Sequence, residues 1–482
     1  MNNFEEVIPT AVPEEENVSW VTKLNYGIGA VGKSLNAGAG AQLQIYLTSI
    51  LHVPRLFIAV LFFAGRLWDG VNDLIMGTIV DNTHSKYGKF RPWIAIGGVT
   101  NALAVSGYFA RPGLLAQHPA GMLVYIALLF LLGDLTYTMI DVSYWAMIPA
   151  LSRGKRARDQ LSMLPRIFSG VASIANAFIW NIVFALGGGK EDGQQAAGLL
   201  RWTLITAVLY VITSVYCAAT VREPNAQLPK PAGERERFSL GRALSILLHN
   251  DQALVIVGVM ILFNLACNLT NGVMGYYFLH VLKKETQLGF MNILWGAAQA
   301  VGLFLFPLLS GWFGRRKVYI GSLLLPCAGY AAMFLADHLL PEEFIPLAAA
   351  AFLASIGYGS MAVMQSVMLA DAVDYGEHRT GLRNEGIIFS TLTMLSKLAG
   401  ALQALILMAV FAVVKFGGED AVEATPEAVA GIKFLMYMLP PVVLVLALLV
   451  YFAGYRLSEG RMAQINAELA QRRGLSPAAD KE

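Results

Sequence analysis

The amino-acid sequence predicts an all-α integral membrane protein with twelve transmembrane helices in two pseudo-symmetric six-helix bundles. Three observations carry that expectation. Of the 482 residues, 56% are hydrophobic and 14% charged, with a mean hydropathy of +0.56, whereas soluble domains carry about 25% charged residues. Apolar windows of about 20 residues, long enough to cross a bilayer, recur twelve times along the chain. The longest polar connector, VREPNAQLPKPAGERERFSLGR from Val221 to Arg242, divides them six and six.

The windows run over 22–51, 56–80, 92–110, 120–151, 164–187, 199–221, 252–281, 287–312, 318–337, 343–371, 385–415 and 430–455. They imply an N-terminal tail over 1–21, a first bundle over 22–221, a linker over 222–250, a second bundle over 251–456 and a C-terminal tail over 457–482. Loops after even-numbered windows carry seventeen Lys and Arg, and those after odd-numbered windows, with Arg201 and Lys415 at the adjoining window ends, seven. Basic residues stay on the cytosolic side, so both termini are expected there, in a plasma or inner membrane. The first nineteen residues have no positive region or small-residue cleavage site and read as a disordered tail. The turn containing Gly77, Asp81, Gly88, Lys89 and Arg91 is echoed by Gly311, Gly314, Arg315, Arg316 and Lys317, as an internal duplication predicts. In the last tail, Met462, Ile465 and Leu469 stand at helical spacing among charges, predicting a surface-lying or cytosol-exposed helix.

Other classes are disfavoured. A formal net charge of +2 does not argue for nucleic acid, and no nucleophile-base constellation or His/Cys metal cluster points to an enzyme. Cys217, Cys267 and Cys327 lie in apolar runs and read as small core residues. No protein partner is evident; the partners expected are a small solute, a monovalent cation and membrane lipid.

The informative residues are charges inside apolar windows, which cost roughly 2.5 to 3.5 kcal/mol each on insertion scales and mark functional sites. Lys23 and Lys433 stand near window ends, where they can snorkel. Lys33, Arg66, Arg166 and Lys397 stand deeper, and each serves either a site or an interhelical ion pair. Asp69 and Asp73, at i and i+4, share a helix face. Two such carboxylates share a proton, bind a cation, or are neutralised by Arg66 and Lys397. Asn72 adds a neutral oxygen of the kind a hard cation takes. In the fourth window Asp134, Thr138, Asp141 and Trp145 form one polar stripe. It offers an oxygen for an ion, a carboxylate for hydroxyls and an aromatic face, as a sugar ring requires. Gly27, Gly29, Gly32, Gly38 and Gly40 surround Lys33 and allow close helix approach. Asp371, Asp374, Glu377, Arg379 and Arg383 cluster at the cytosolic rim, predicting a structural or gating charge network.

Six plus six helices with a cytosolic mid-loop is the architecture of the major facilitator superfamily. Within it the chain resembles the glycoside-pentoside-hexuronide:cation symporters, the melibiose permease-like family. The likeness rests on RLWDGVNDLIMG with YGKFRPW, YTMIDVSYWAMIPAL, LPRIFS and ADAVDYGEHRTGLRNEG, in that order. The resemblance implies a coupling-cation site at Asp69, Asn72, Asp73 and Thr138, sugar-site positions at Lys33, Asp141, Trp145 and Arg166, and a lysine beside the cation site at Lys397. It favours Na⁺, with Li⁺ or H⁺ as alternatives, and no cofactor. The sugar site departs from the pattern: a hydroxyl-binding aspartate of the first helix is Ser34, an aromatic contact of the tenth aligns with Ala362 near Gln365, and Asp134 replaces a small residue. The expected function is sodium-coupled uptake of a glycoside, pentoside or hexuronide by alternating access. A proton-coupled carrier of the same family and a non-coupled solute- or lipid-handling protein are the alternatives.

Overall fold

The structure, a computed structural model, describes residues 18–83, 85–110, 118–152, 155–223, 250–341, 343–380, 385–416 and 425–472. Residues 1–17 of the expected N-terminal tail, 224–249 of the linker, 473–482 of the C-terminal tail, and Arg383 lie outside the described residues. The helices are α1 (Trp20–Gly40), α2 (Arg55–Asp81), α3 (Arg91–Phe109), α4 (Pro119–Leu151), α5 (Lys155–Ala177), α6 (Ile179–Gly187), α7 (Asp192–Thr220), α8 (Asp251–Tyr276), α9 (Glu285–Phe313), α10 (Arg315–Leu339), α11 (Phe344–Thr380), α12 (Glu385–Val413), α13 (Pro426–Lys433), α14 (Leu439–Gly454) and α15 (Glu459–Arg472).

These helices occupy the apolar windows in order. Among the described residues, seven helical stretches are by themselves long and apolar enough to cross a membrane. An eighth is counted if α5 and α6, bent by 52° at their break, form one span. Helix α2 is long enough at 27 residues but carries Arg66, Asp69 and Asp73 within its apolar run, so the suspected site residues dilute its hydropathy.

The chain forms two compact units: 1–42, 71–176 and 197–231 in one, and 43–70, 177–196 and 232–482 in the other. In the first unit α1 packs closely on α7. A Cβ on Gly32 would fall 2.5 Å from the Tyr210 Cα, so only glycine fits there. The core around this contact includes Tyr26, Ile140, Tyr144, Met147, Tyr210 and Cys217.

Internal duplication is visible in the backbone. After α1, a π-helical turn Tyr46–Ile50 ends with Leu51 N–H on Tyr46 C=O and Val53 N–H on Leu47 C=O, both at 2.9 Å, and His52 at φ 51°. After α8, the π turn Tyr277–Val281 ends with Leu282 N–H on Tyr277 C=O and Lys284 N–H on Phe278 C=O, both at 3.0 Å, and Lys283 at φ 56°. A non-glycine residue in the left-handed region is uncommon, and two at equivalent places mark a repeated device.

The turns after α2 and α9 form a second repeat. Gly88 and Gly314 take φ 113° and 79°, a conformation glycine adopts without a Cβ penalty. In the first turn the Glu223 carboxylate accepts the backbone N–H groups of Lys89, Phe90 and Arg91 at 2.8–3.2 Å, supplying the acceptors that a helix N-terminus lacks. In the second, Glu459 accepts the Arg315 N–H at 2.5 Å.

Of the two lysines expected to snorkel, Lys23 is held inside instead, while the Lys433 side chain stays 37% exposed. Lys23 is 6% exposed and donates to Gln160 Oε1 at 2.7 Å. Lys433 pairs with Asp337 at 2.7 Å, and the same carboxylate accepts from the Tyr277 hydroxyl at 2.6 Å. The C-terminal helix is not simply exposed: Met462, Ile465 and Leu469 bury their apolar stripe with Leu457 against Tyr375 and Tyr455. Its Glu468 meets His378 at 2.6 Å.

Candidate cation and solute sites

In the first unit, α1 and α4 bring Lys33 and Asp141 into direct ion-pair contact. The side chain of Lys33 is 11% exposed and that of Asp141 36%, so the carboxylate is the more open partner. The ammonium lies 5.4–5.5 Å from the ring centres of Tyr137, Tyr144 and Trp145, within the range of cation–π attraction. Tyr144 is fixed by stacking on Tyr26 at 4.4 Å and 8°, and each hydroxyl donates to the other residue's carbonyl at 2.5 Å. Trp145 stands edge-on to Tyr144 at 5.6 Å and is 37% exposed. A half-open carboxylate, a buried cation and an exposed indole face are thus assembled on one stripe.

Tyr137 and Tyr144 were not singled out from the sequence. They stand at i−4 and i+3 of Asp141, so the helical spacing that selected Trp145 carried the signal for them too.

The acidic residues of α2 fall on both sides of the unit boundary, which cuts this helix after Gly70. In the first unit Thr138, 1% exposed, donates to Asp73 Oδ1 at 3.3 Å. Asn72 is fully buried; its amide N–H donates to the Asp134 carbonyl at 3.4 Å, while its Oδ1 has no hydrogen-bond partner among the described residues. An orphaned buried carbonyl oxygen costs about 1–3 kcal/mol. In the second unit Lys397 Nζ lies 3.1 Å from Asp69 Oδ2. Arg66, grouped with Lys397 as a charge partner, is exposed and forms no ion pair among the described residues; its Nε faces Gly400 instead, 3.6 Å from where a Cβ there would stand.

The remaining expectations separate. Ser34 is next to Lys33, and its backbone carbonyl accepts from Asn176 at 2.9 Å. Arg166 is exposed on α5, with no ion pair among the described residues. Gln365 is half-buried on α11, its Nε2 without a hydrogen-bond partner among the described residues. The rim cluster on α11 makes contacts inside its own unit: Arg379 pairs with Asp251 at 2.8 Å, Tyr375 donates to the same carboxylate at 3.0 Å, and Asn250 holds the Ala372 carbonyl at 2.9 Å. For Arg379 the observed role is a brace between α11 and the start of α8. Asp371 lines a separate cavity, and Asp374 and Glu377 lie on the same terminal turns.

Polar contacts on the side away from the basic loops were not legible beforehand. Within the second unit, Lys190 meets Glu285 at 2.5 Å, Asn181 donates to Thr286 at 2.7 Å, Arg55 Nε donates to the Phe416 carbonyl at 3.0 Å and Tyr276 donates to Thr48 at 3.2 Å. These are ordinary loop-end residues whose pairing depends on packing.

The chain is similar to a lactose permease of Lactobacillus delbrueckii subsp. bulgaricus, 26% identical over 95% of this chain and 74% of that protein. It is also similar to the uncharacterized symporter YjmB of Bacillus subtilis, 23% identical over 96% of this chain and 98% of that one. Among solved structures, the nucleoside transporter NupG matches with a TM-score of 0.63 at 13% identity, covering 91% of this chain and all of that one. That likeness shows the fold, an all-helical one. The family described as MFS/sugar transport protein matches residues 25–459, and this chain belongs to that family.

Proposed function

We propose that the protein is a symporter that couples Na⁺ entry to uptake of a glycoside, pentoside or hexuronide by alternating access. The observation that carries the reading is the orphaned Oδ1 of the fully buried Asn72, together with the contact between its sequence neighbour Asp73 and the Thr138 hydroxyl. An unsatisfied amide oxygen, a carboxylate and a hydroxyl are the ligand types a hard cation takes. Asp69, one helical turn earlier on α2, adds a second carboxylate. By the resemblance, Na⁺ at this set neutralises the acids.

The solute end is the Lys33–Asp141 stripe. Asp141 accepts hydroxyl hydrogen bonds, and Trp145 offers the apolar face that a sugar ring stacks on. Sugar carriers among the similar proteins, such as the lactose permease, support that substrate class. Each ligand then raises the other's affinity reciprocally, typically by about 1–3 kcal/mol. The distribution of basic loops supports cytosolic termini in a plasma or inner membrane.

The test is uptake of labelled sugars into proteoliposomes under an imposed Na⁺ gradient, a proton gradient, or neither. Accumulation driven by Na⁺ at fixed pH is the expected result, and indifference to both gradients sinks the proposal. A second reading follows from Lys397 at 3.1 Å from Asp69, since a carboxylate already paired with an ammonium also suits a proton carrier. Uptake driven by the proton gradient with no response to Na⁺ selects it.

A further inference from the structure

On the side of the basic loops, the second unit encloses a cavity of about 830 Å³. Its wall includes Arg315, Arg316, Lys317 and Arg456, with Ser458 and Tyr451. Two carboxylates share the wall, Asp371 and Glu459, and Glu459 is engaged by the Arg315 backbone N–H at 2.5 Å. Four cations therefore face two acids, one of them already committed to the backbone.

The equivalent turn of the first unit is built differently. There Glu223 takes three backbone N–H groups, and the Arg91 guanidinium donates to the carbonyls of Ala218 and, at 3.1 Å, Ala219. The Arg91 charge is thus satisfied internally. In the second unit, among the described residues, no ion pair within 4 Å holds the side chains of Arg315, Arg316, Lys317 or Arg456, although the Arg315 charge acts on Asp371 across the wall. The duplication kept the turn and left its cations available at the start of α10, where backbone N–H groups add to the positive potential.

The neighbouring surface indicates the source of the anion. Phe304, Leu308 and Trp312 repeat every four residues along one stripe of α9 and are 74%, 55% and 75% exposed. That stripe is lipid-facing in an apolar spanning helix, and α9 ends at Phe313, itself part of the cavity wall. An amphiphile with its chains along the stripe has its polar head at the cavity mouth, with Trp312 at the interfacial level that tryptophan favours.

We propose that this cavity binds the phosphodiester headgroup of an anionic phospholipid, held by Arg315, Arg316, Lys317 and Arg456. Basic pockets on the cytosolic face of membrane helices suit such headgroups, at about 1 kcal/mol per cation. That corresponds to about fivefold in affinity for each charge removed.

The test is thermal denaturation of delipidated full-length protein in uncharged detergent, titrated with phosphatidylglycerol, phosphatidylcholine or inorganic phosphate. Phosphatidylglycerol should raise the midpoint, since a ligand that binds only the folded state stabilises it, and phosphatidylcholine at the same concentration should not. The triple variant R315Q/R316Q/K317Q should lose the effect, while K283Q/K284Q on the opposite side keeps it. If the triple variant does not fold, R456Q alone should weaken the phosphatidylglycerol response about fivefold in midpoint concentration. An equal response to phosphatidylcholine, or a response that survives in the variants, overturns the proposal. Inorganic phosphate reproducing the full effect overturns the lipid assignment in favour of a free anion.

Discussion

The ammonium of Lys397 lies 3.1 Å from the Asp69 carboxylate, with the two side chains 20% and 15% exposed. Breaking such a largely buried pair by removing one partner costs about 3–5 kcal/mol, because the remaining charge is left uncompensated. If Na⁺ is the physiological counter-charge, Lys397→Met should lower thermal stability in choline chloride and recover much of it in sodium chloride. The midpoint shift caused by Na⁺ should be larger in the variant than in the parent protein. An equal shift in both separates Lys397 from the ion site.

Thr138 and Asn72 test the oxygen set without adding charge. Thr138→Val keeps the shape of the side chain and removes the hydroxyl that Asp73 accepts from. A hydrogen bond or ligand contact to a charged group is worth about 1.5–3 kcal/mol, so half-saturation by Na⁺ should rise about 10- to 100-fold. Asn72→Leu should do the same and leave sugar counterflow measurable at saturating Na⁺. Unchanged Na⁺ dependence in both would remove these residues from the site.

Lys33 and Asp141 distinguish scaffold from function. Asp141→Asn leaves a lysine ammonium unpaired within the first unit and should destabilise by about 3–5 kcal/mol, read as a lower melting midpoint. The double variant K33M/D141L replaces the ion pair with apolar groups and should recover stability. If Asp141 accepts sugar hydroxyls, the double variant stays inactive in sugar binding despite its recovered stability. Restored binding would show that the pair only holds α1 to α4.

The C-terminal helix is fastened through an apolar contact, with Ile465 1% exposed among Met462, Leu469, Tyr375 and Tyr455. Ile465→Ala should cost about 2–5 kcal/mol in local docking energy and increase proteolysis of the segment after Leu457. The same substitution at exposed Gln464 should change neither.

The residues themselves determined the architecture and the inventory of the sites. Apolar windows must be helices in a bilayer, because every backbone polar group there has to be satisfied within the segment, and the observed helices follow those windows. Asp69, Asn72 and Asp73, Lys33, and the stripe from Asp134 to Trp145 were conspicuous because polar groups are costly at that depth. Tertiary structure decided the partners. Lys397 rather than Arg66 meets Asp69, Asp141 takes Lys33 while Arg166 stays exposed, and Arg379 braces Asp251. Lys433 pairs with Asp337 although it stands near a helix end. Periodicity assigns a residue to a face of its helix, whereas which charge lies opposite depends on crossing positions of helices tens or hundreds of residues apart. The same reason hid the two turns: Gly88 and Gly314 were visible as an echo, but only packing showed that the first turns Arg91 onto backbone carbonyls and the second leaves its cations facing a cavity.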